Sequence, residues 1–206
     1  MSNKAEGCDS PDLDEDGDLV VRSQRGEIDA FESLVIKHQK KMLNLAYRMT
    51  GNYDDACDIV QDAFVAAYKG IGGFQRKSRF STWLSTITMN LARNRLRQVA
   101  TEQQRHGLSL DVPLLTQDGE VRLELPSSAP TALEQIERHE LQRGVQECIN
   151  ALEEEFRAVV VLRDIQGYAY EEISEVLQLA IGTVKSRLFR ARAMLRDCLK
   201  GKWGGL

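Results

Sequence analysis

Apolar residues keep one spacing through most of this chain, returning every three or four positions, which is the spacing of a helix face. From Phe31 the series Leu34, Val35, His38, Met42, Leu45, Ala46 and Met49 holds a single face for about five turns, and Gly51 supplies a stop. A second long helix is expected from about Asp54 to Gly70, with Ala56, Ile59, Val60, Ala63, Phe64, Ala67 and Ile71 inward. After Gly72 and Gly73 a third is expected from about Ser81 to Gln98, on a seam of Leu84, Ile87 and Leu91. A short helix from about Asp18 precedes them. Strand signals are weak everywhere, so the expected fold class is all-α.

The periodicity lapses from Thr101 to about Thr131, where Pro113, Pro126, Pro130, Gly107 and Gly119 fall among scattered polar residues. A structureless loop of about thirty residues is uncommon inside one compact domain. The segment is therefore expected to be a flexible linker between two small helical domains. The expected organisation is an acidic, disordered tail over 1–17, a first domain over 18–100, the linker over 101–131 and a second domain over 132–200.

In the second domain Leu133, Ile136, Leu141, Val145, Cys148 and Ile149 are apolar at helical spacing, followed by Phe156, Val159, Val160, Val161 and Leu162. A short helix carrying Tyr170, Ile173, Val176 and Leu177 then meets a longer one across Gln178–Ala180. Val184, Leu188, Ala191 and Leu195 form the buried face of the longer helix. Ser186, Phe189, Arg190 and Ala193 point away from it, flanked by Lys185, Arg187, Arg192 and Arg196. Two helices joined by so tight a turn suggest a helix-turn-helix, whose second helix enters the major groove of DNA. Between Gly182 and Lys202 the one acid is Asp197, so this face is more than an ordinary solvated charge run.

Charge is unevenly spread. The net charge is -4, yet Glu6, Asp9, Asp12, Asp14, Glu15, Asp16 and Asp18 crowd the first eighteen positions. The stretch from Phe74 to Ala100 contains Arg76, Lys77, Arg79, Arg93, Arg95 and Arg97 and no acid. On its helix Trp83, Thr86 or Ile87, Asn90, Asn94 and Arg97 fall at three- and four-residue steps. Such a stripe suits unpaired bases, which stack on aromatics, offer edges to amides and carry phosphates for cations. Trp83 fits a core position equally well.

Asp54 and Asp55 suit the positive end of a helix dipole. Asp58 and Asp62 lie deeper and ask for a partner. His38, alone on an apolar face, is expected in the core. Cys8, Cys57, Cys148 and Cys198 lie far apart with no paired spacing, which signals neither a zinc site nor a disulfide framework. Reduced thiols in a cytoplasmic protein are the expectation, with no membrane insertion, metal, cofactor or catalytic residue. Gly72-Gly73 is too short for a phosphate loop, and no enzyme motif is visible.

Several segments in order resemble the extracytoplasmic-function sigma factors, the small two-domain bacterial transcription initiation factors: AFESLV (30–35), DDACDIVQDAFVAAYKGI (54–71), FSTWL (80–84), NLARNRLR (90–97), GYAYEEIS (167–174) and GTVKSRLFRAR (182–192). The match covers about 18–100 and 136–197. The resemblance implies a first domain, sigma region 2, in which Asp58, Gln61 and Asp62 dock on the beta-prime clamp helices of RNA polymerase core. There Asn90 captures an extruded minus-ten base, Trp83 supports the loop, and Arg76, Lys77, Arg79, Arg93, Asn94 and Arg97 line the melted strand. It implies a second domain, sigma region 4, that meets the beta flap. Its Thr183, Lys185, Ser186, Arg187, Phe189, Arg190 and Arg192 would face duplex minus-35 DNA. It also implies an anti-sigma factor as partner and a stress or envelope-response regulon.

The chain departs from the family pattern at Cys57, where an acid is common, and at Glu153, where proline is frequent. Gln178 and Ala180 replace the usual turn glycine and capping residue. Two other classes fit part of the sequence: a helix-turn-helix regulator acting without polymerase, and a protein-binding bundle whose cations are incidental. The first leaves 54–98 unexplained, and the second predicts that charge reversal at Arg187 and Arg190 is silent.

Overall fold

The computed structural model describes residues 16–105 and 132–204. Among them the chain is helical, without strands, as expected: α1 (Gly17–Gln24), α2 (Ile28–Thr50), α3 (Tyr53–Gly70), a 3-10 turn (Ile71–Gly73), α4 (Phe80–Arg105), α5 (Ala132–Asn150), α6 (Glu154–Val160), a π-helical turn (Val161–Ile165), α7 (Tyr170–Leu177) and α8 (Ile181–Trp203). Helix α4 continues past the expected end at Gln98 through Arg105. The acidic tail over 1–15 and the linker over 106–131 lie outside the described residues.

Helices α2, α3 and α4 pack on one another, with α1 laid against α2. On α2 their core is the face read from the periodicity, with Leu34, Met42, Leu45 and Met49 fully buried. On α4 the expected seam of Leu84, Ile87 and Leu91 is turned, because Met89 and Ala92 are buried with Leu84 while Ile87 and Leu91 are only half-buried. Burying each such side chain contributes about 1.5–3 kcal/mol, before the entropy of ordering is subtracted. Gly51 ends α2 in the left-handed region at φ 73°, its N–H bonded to the Tyr47 carbonyl. Asn52 then starts α3, its side-chain oxygen accepting the Asp55 N–H at 3.0 Å. His38 is buried as expected, its Nε2 2.9 Å from Asp16 Oδ2. Burial pushes its imidazole below the ordinary pKa, and the Asp16 carboxylate offsets part of that shift.

The second unit packs α5, α6 and α7 against α8 around Cys148, Ile149, Val159, Leu162, Ile173 and Leu188. The π-helical turn has a plain signature, the Gln166 N–H reaching five residues back to the Val161 carbonyl at 3.0 Å. Between α7 and α8, Gln178 stands in the left-handed region at φ 53°, where glycine would be unstrained. Ala180 precedes α8 without a side-chain cap. Both departures noted in the sequence thus fall in the turn, Gln178 straining its backbone and Ala180 only omitting a cap, rather than on the outward face of α8.

The cysteines require a correction. Cys148 and Cys198 form a disulfide that fastens α5 to α8, across a sequence separation of 50. Spacing concealed the pair because their proximity comes from helix packing, not from a local motif. Cys57 is a free thiol. Nearby, Trp203 lies over Gly144 so closely that a Cβ there would meet its ring at 2.5 Å. With the Lys202–Glu147 ion pair, the end of α8 is therefore fixed to α5 at three points.

The two units share one contiguous apolar core, from Leu34 and Leu84 through Tyr168 to Leu188. Among the described residues no helix is long and apolar enough to cross a membrane. No cluster of three or more metal-binding side chains is present among them.

Two stability outcomes follow from these local features. Replacing Gln178→Gly should stabilise the chain by about 1 kcal/mol, raising the thermal midpoint by about 2–4 °C in calorimetry. Replacing Cys148 and Cys198 together by Ser opens a loop whose closure is worth at most about 4 kcal/mol in the chain-entropy account. Denaturant titration should show a lower midpoint for that variant, and added dithiothreitol should shift the native chain toward it.

Candidate nucleic-acid and partner interfaces

The seam of Leu84, Met89 and Ala92 is fully buried, so α4 presents its other side outward, with Asn90, Asn94 and Arg97 exposed along it. The sequence-expected stripe thus forms one face over those three residues. Trp83 resolves differently from a free stacking platform. It is half-buried and stacks on Phe74, ring centroids 4.8 Å apart and planes within 24°, with Phe80 at 5.8 Å. Its indole braces the loop carrying Arg76, Lys77 and Arg79, all three exposed. Arg76 itself sits in the left-handed region at φ 54°.

Sequence reasoning missed the second brace of this loop. Gln24, at the end of α1, donates from Nε2 to the carbonyls of Ile71 and Phe74, each at 2.9 Å. A lone polar residue forty-seven positions away gave no signal in the sequence.

The cations of α4 and of the loop before it divide among several neighbours. Arg95 turns back to α3 and pairs with Asp55 Oδ1 at 2.8 Å, an ion pair that raises the guanidinium pKa through its hydrogen bond and charge. Arg93 Nε lies 2.6 Å from Glu154 Oε1 at the start of α6, although its N–H is not aimed at that oxygen. Arg79 reaches Glu172 at the start of α7, at 3.6 Å. Asp58, Gln61 and Asp62 lie together on the outward side of α3, exposed, with no side-chain ion pair or hydrogen bond among the described residues.

On α8 the inward face is Val184, Leu188 and Ala191, as the periodicity required. Outward stand Lys185, Ser186, Phe189 and Arg190, with Phe189 79% exposed. So large an exposed aromatic among cations marks a contact surface more than a solvated face. Thr183 is half-buried in the first turn and its carbonyl accepts the Ser186 hydroxyl at 3.0 Å. Arg187 pairs with Glu155 at 2.5 Å, and Arg192 with Asp164, Nε to Oδ2 at 3.0 Å. Tyr170 of α7 carries two cations on its ring, Arg163 at 4.7 Å and Lys185 at 5.4 Å. An open groove between Tyr170, Lys185, Phe189, Arg192 and Arg196 completes this basic surface.

Replacing Gln24→Ala leaves two carbonyls without their donor and should cost about 1–3 kcal/mol. Hydrogen exchange should quicken at Phe74–Ser78 while the interior of α2 stays protected.

Comparison with known proteins gives the family of the two units. The family model for sigma-70 region 2 matches residues 34–101, and that for sigma-70 region 4 matches 142–195. The RNA polymerase sigma-H factor of Pseudomonas aeruginosa is 36% identical over 194 residues, covering 91% of this chain and 95% of that protein. The ECF RNA polymerase sigma-E factor of Haemophilus influenzae is 36% identical, covering 87% of this chain and 92% of its own length. Among solved structures, CnrH in complex with the cytosolic domain of CnrY superposes with a TM-score of 0.64 at 29% identity, over 90% of this chain and 97% of that one.

Proposed function

The chain belongs to the extracytoplasmic-function group of sigma-70 RNA polymerase sigma factors, and from that premise we propose how its two surfaces divide the work of promoter opening. It is a transcription initiation factor and not an enzyme, and catalysis belongs to the polymerase. The outward face of α8 reads duplex DNA at the minus-35 element. The outward face of α4 and the loop before it hold the separated strand at minus-ten. The observation that carries this reading is the exposed Phe189–Arg190 pair on a helix whose opposite face is buried.

Each residue has a physical role in the reading. Lys185, Arg187 and Arg192 neutralise phosphates, and an arginine that reaches a guanine edge adds about 1–3 kcal/mol of discrimination. Ser186, Thr183 and Phe189 fit the groove floor and backbone. Asn90 takes the edge of an extruded base, whose unstacking costs a few kcal/mol that amide and cation contacts must offset. Asn94, Arg97, Arg93, Arg76, Lys77 and Arg79 track the strand. Trp83 acts by holding the loop against Phe74 rather than by touching bases. Asp58, Gln61 and Asp62 offer an unpaired acidic-amide patch to the clamp helices of core polymerase, and the second domain meets the beta flap. A protein inhibitor of the anti-sigma kind holds the factor until a stress signal, in the cytoplasm where the polymerase is. The solved relative bound to the cytosolic domain of another protein supports such a partner.

Run-off transcription with purified core polymerase on a genomic fragment library tests the whole reading: new start sites should appear only when this chain is added. Asn90→Ala should weaken permanganate-detected opening while leaving co-purification with core intact. Asp58→Ala with Gln61→Ala should instead reduce co-purification with core polymerase, and full retention would clear that face of the role. Normal opening by the Asn90 variant would remove that residue from the site.

A further inference from the structure

We propose that Gln24, the last residue of α1, is a positioning residue for promoter reading: by fixing the root of the loop over 74–79 it decides which base is accepted beside that loop. This rests on the reading of α4 and the loop as the minus-ten surface, and adds to it a helix that lends no DNA-facing residue of its own.

Among the described residues no backbone–backbone hydrogen bond reaches 75–78, so the shape of this short span is set at its two ends. At the exit the Arg79 carbonyl accepts the N–H groups of Thr82 and Trp83, each at 3.1 Å, and is fixed by α4. At the root the Phe74 N–H closes onto the Ile71 carbonyl at 3.1 Å, and the Phe74 ring lies against Trp83 and Phe80. Ring packing restrains the side chain but does not by itself fix the tilt of the peptide that follows. Gln24 supplies that restraint. Its Nε2 carries two N–H groups, and it donates to the carbonyls of Ile71 and Phe74, each at 2.9 Å. One planar amide on two acceptors three residues apart fixes both their separation and their direction.

The amide serves the loop and not its own helix. Gln24 is exposed, and its side chain makes no other bond among the described residues. Helix α1 is anchored without it: Val20 is buried, Asp16 pairs with Lys37 and His38 of α2, and Arg22 holds Glu27 at 2.8 Å. A helix so secured gives the amide a rigid mount. Two residues beyond the tethered Phe74 carbonyl, Arg76 stands at φ 54°, a conformation that a residue with a Cβ keeps only where its surroundings hold it. Without the amide Arg76 relaxes and carries with it the exposed side chains of Gln75 and Lys77. These three offer an amide and cations to a base edge and its phosphate. Asn90 lies about 15 Å along α4 from Phe80, too far for it to share that base.

The test uses holoenzyme assembled from core polymerase and the full-length chain. A start site recovered by run-off is rebuilt as a set of templates, each with one base of its minus-ten element exchanged, and permanganate-detected opening is measured on every template. Gln24→Met keeps the length of the side chain and removes its donors. Gln24→Lys restores donors, since an ammonium carries three N–H groups. Glu27→Gln breaks the Arg22 pair and loosens the end of α1 without touching the loop root. Co-purification with core and circular dichroism check that each variant is folded and assembled.

Gln24→Met should lower the preference for the native base on the order of fivefold at one position of the element, the size of one or two net hydrogen bonds, and leave the others unchanged. The position should differ from the one at which Asn90→Ala acts. Gln24→Lys should recover most of the preference, and Glu27→Gln should match the native chain. A Gln24→Met variant that opens every template less well by one common factor is a brace and nothing more, and overturns the proposal. So does one that keeps its full preference, fails to assemble with core, or is not rescued by lysine. Each of these leaves the minus-ten reading standing as long as Asn90→Ala and Arg76→Ala still impair opening. A screen without new start sites, or silence of both those variants on all templates, would instead remove the reading beneath it.

Discussion

Helix α4 has one circumference and three claims upon it. Leu84, Met89 and Ala92 must be buried against α2 and α3, Thr82 and Ser85 meet the second unit, and Asn90, Asn94 and Arg97 remain for solvent or a ligand. The apolar seam decides the other two, because rotating a helix by one residue carries every side chain about 100° around its axis. Burial of that seam is therefore what gives the polar face an address. The aromatic group of Phe74, Phe80 and Trp83 performs the same office for the loop before it.

Charge is handled by local pairing rather than by a uniform field. Asp55 holds Arg95, Glu154 holds Arg93, Glu155 holds Arg187 and Asp164 holds Arg192, each bringing an acid of one helix to a cation of another. Pairs at such partly exposed sites contribute little to stability and are screened by salt. Their value is positional. Long, flexible guanidinium groups are held in place at modest cost, and a phosphate that arrives can replace the carboxylate without a large loss. Arg97, Lys185 and Arg190 remain exposed beside them and extend the basic surface.

The outward face of α8 was legible because a helix half buried by Val184, Leu188 and Ala191 leaves no freedom over where Phe189 and Arg190 point. The same reasoning placed His38 in the core and Asn90 outside it. It could not choose between the two roles open to Trp83, since both positions on a helix edge look alike without the loop that packs on it. It missed Gln24, Tyr168 and the Cys148–Cys198 bond for a related reason. Their partners stand 47, 83 and 50 residues away, and periodicity carries information only about neighbours a few turns apart.

The sequence by itself determined the helices, the inward faces of all but α4 and the two basic surfaces, because each depends on the chemistry of residues within one or two turns. Only the tertiary structure decided which cations are held by acids, which aromatic supports a loop, that two thiols meet, and that the second unit lies against α4. Those outcomes depend on how whole helices pack, and packing is settled by the shape of every buried face together.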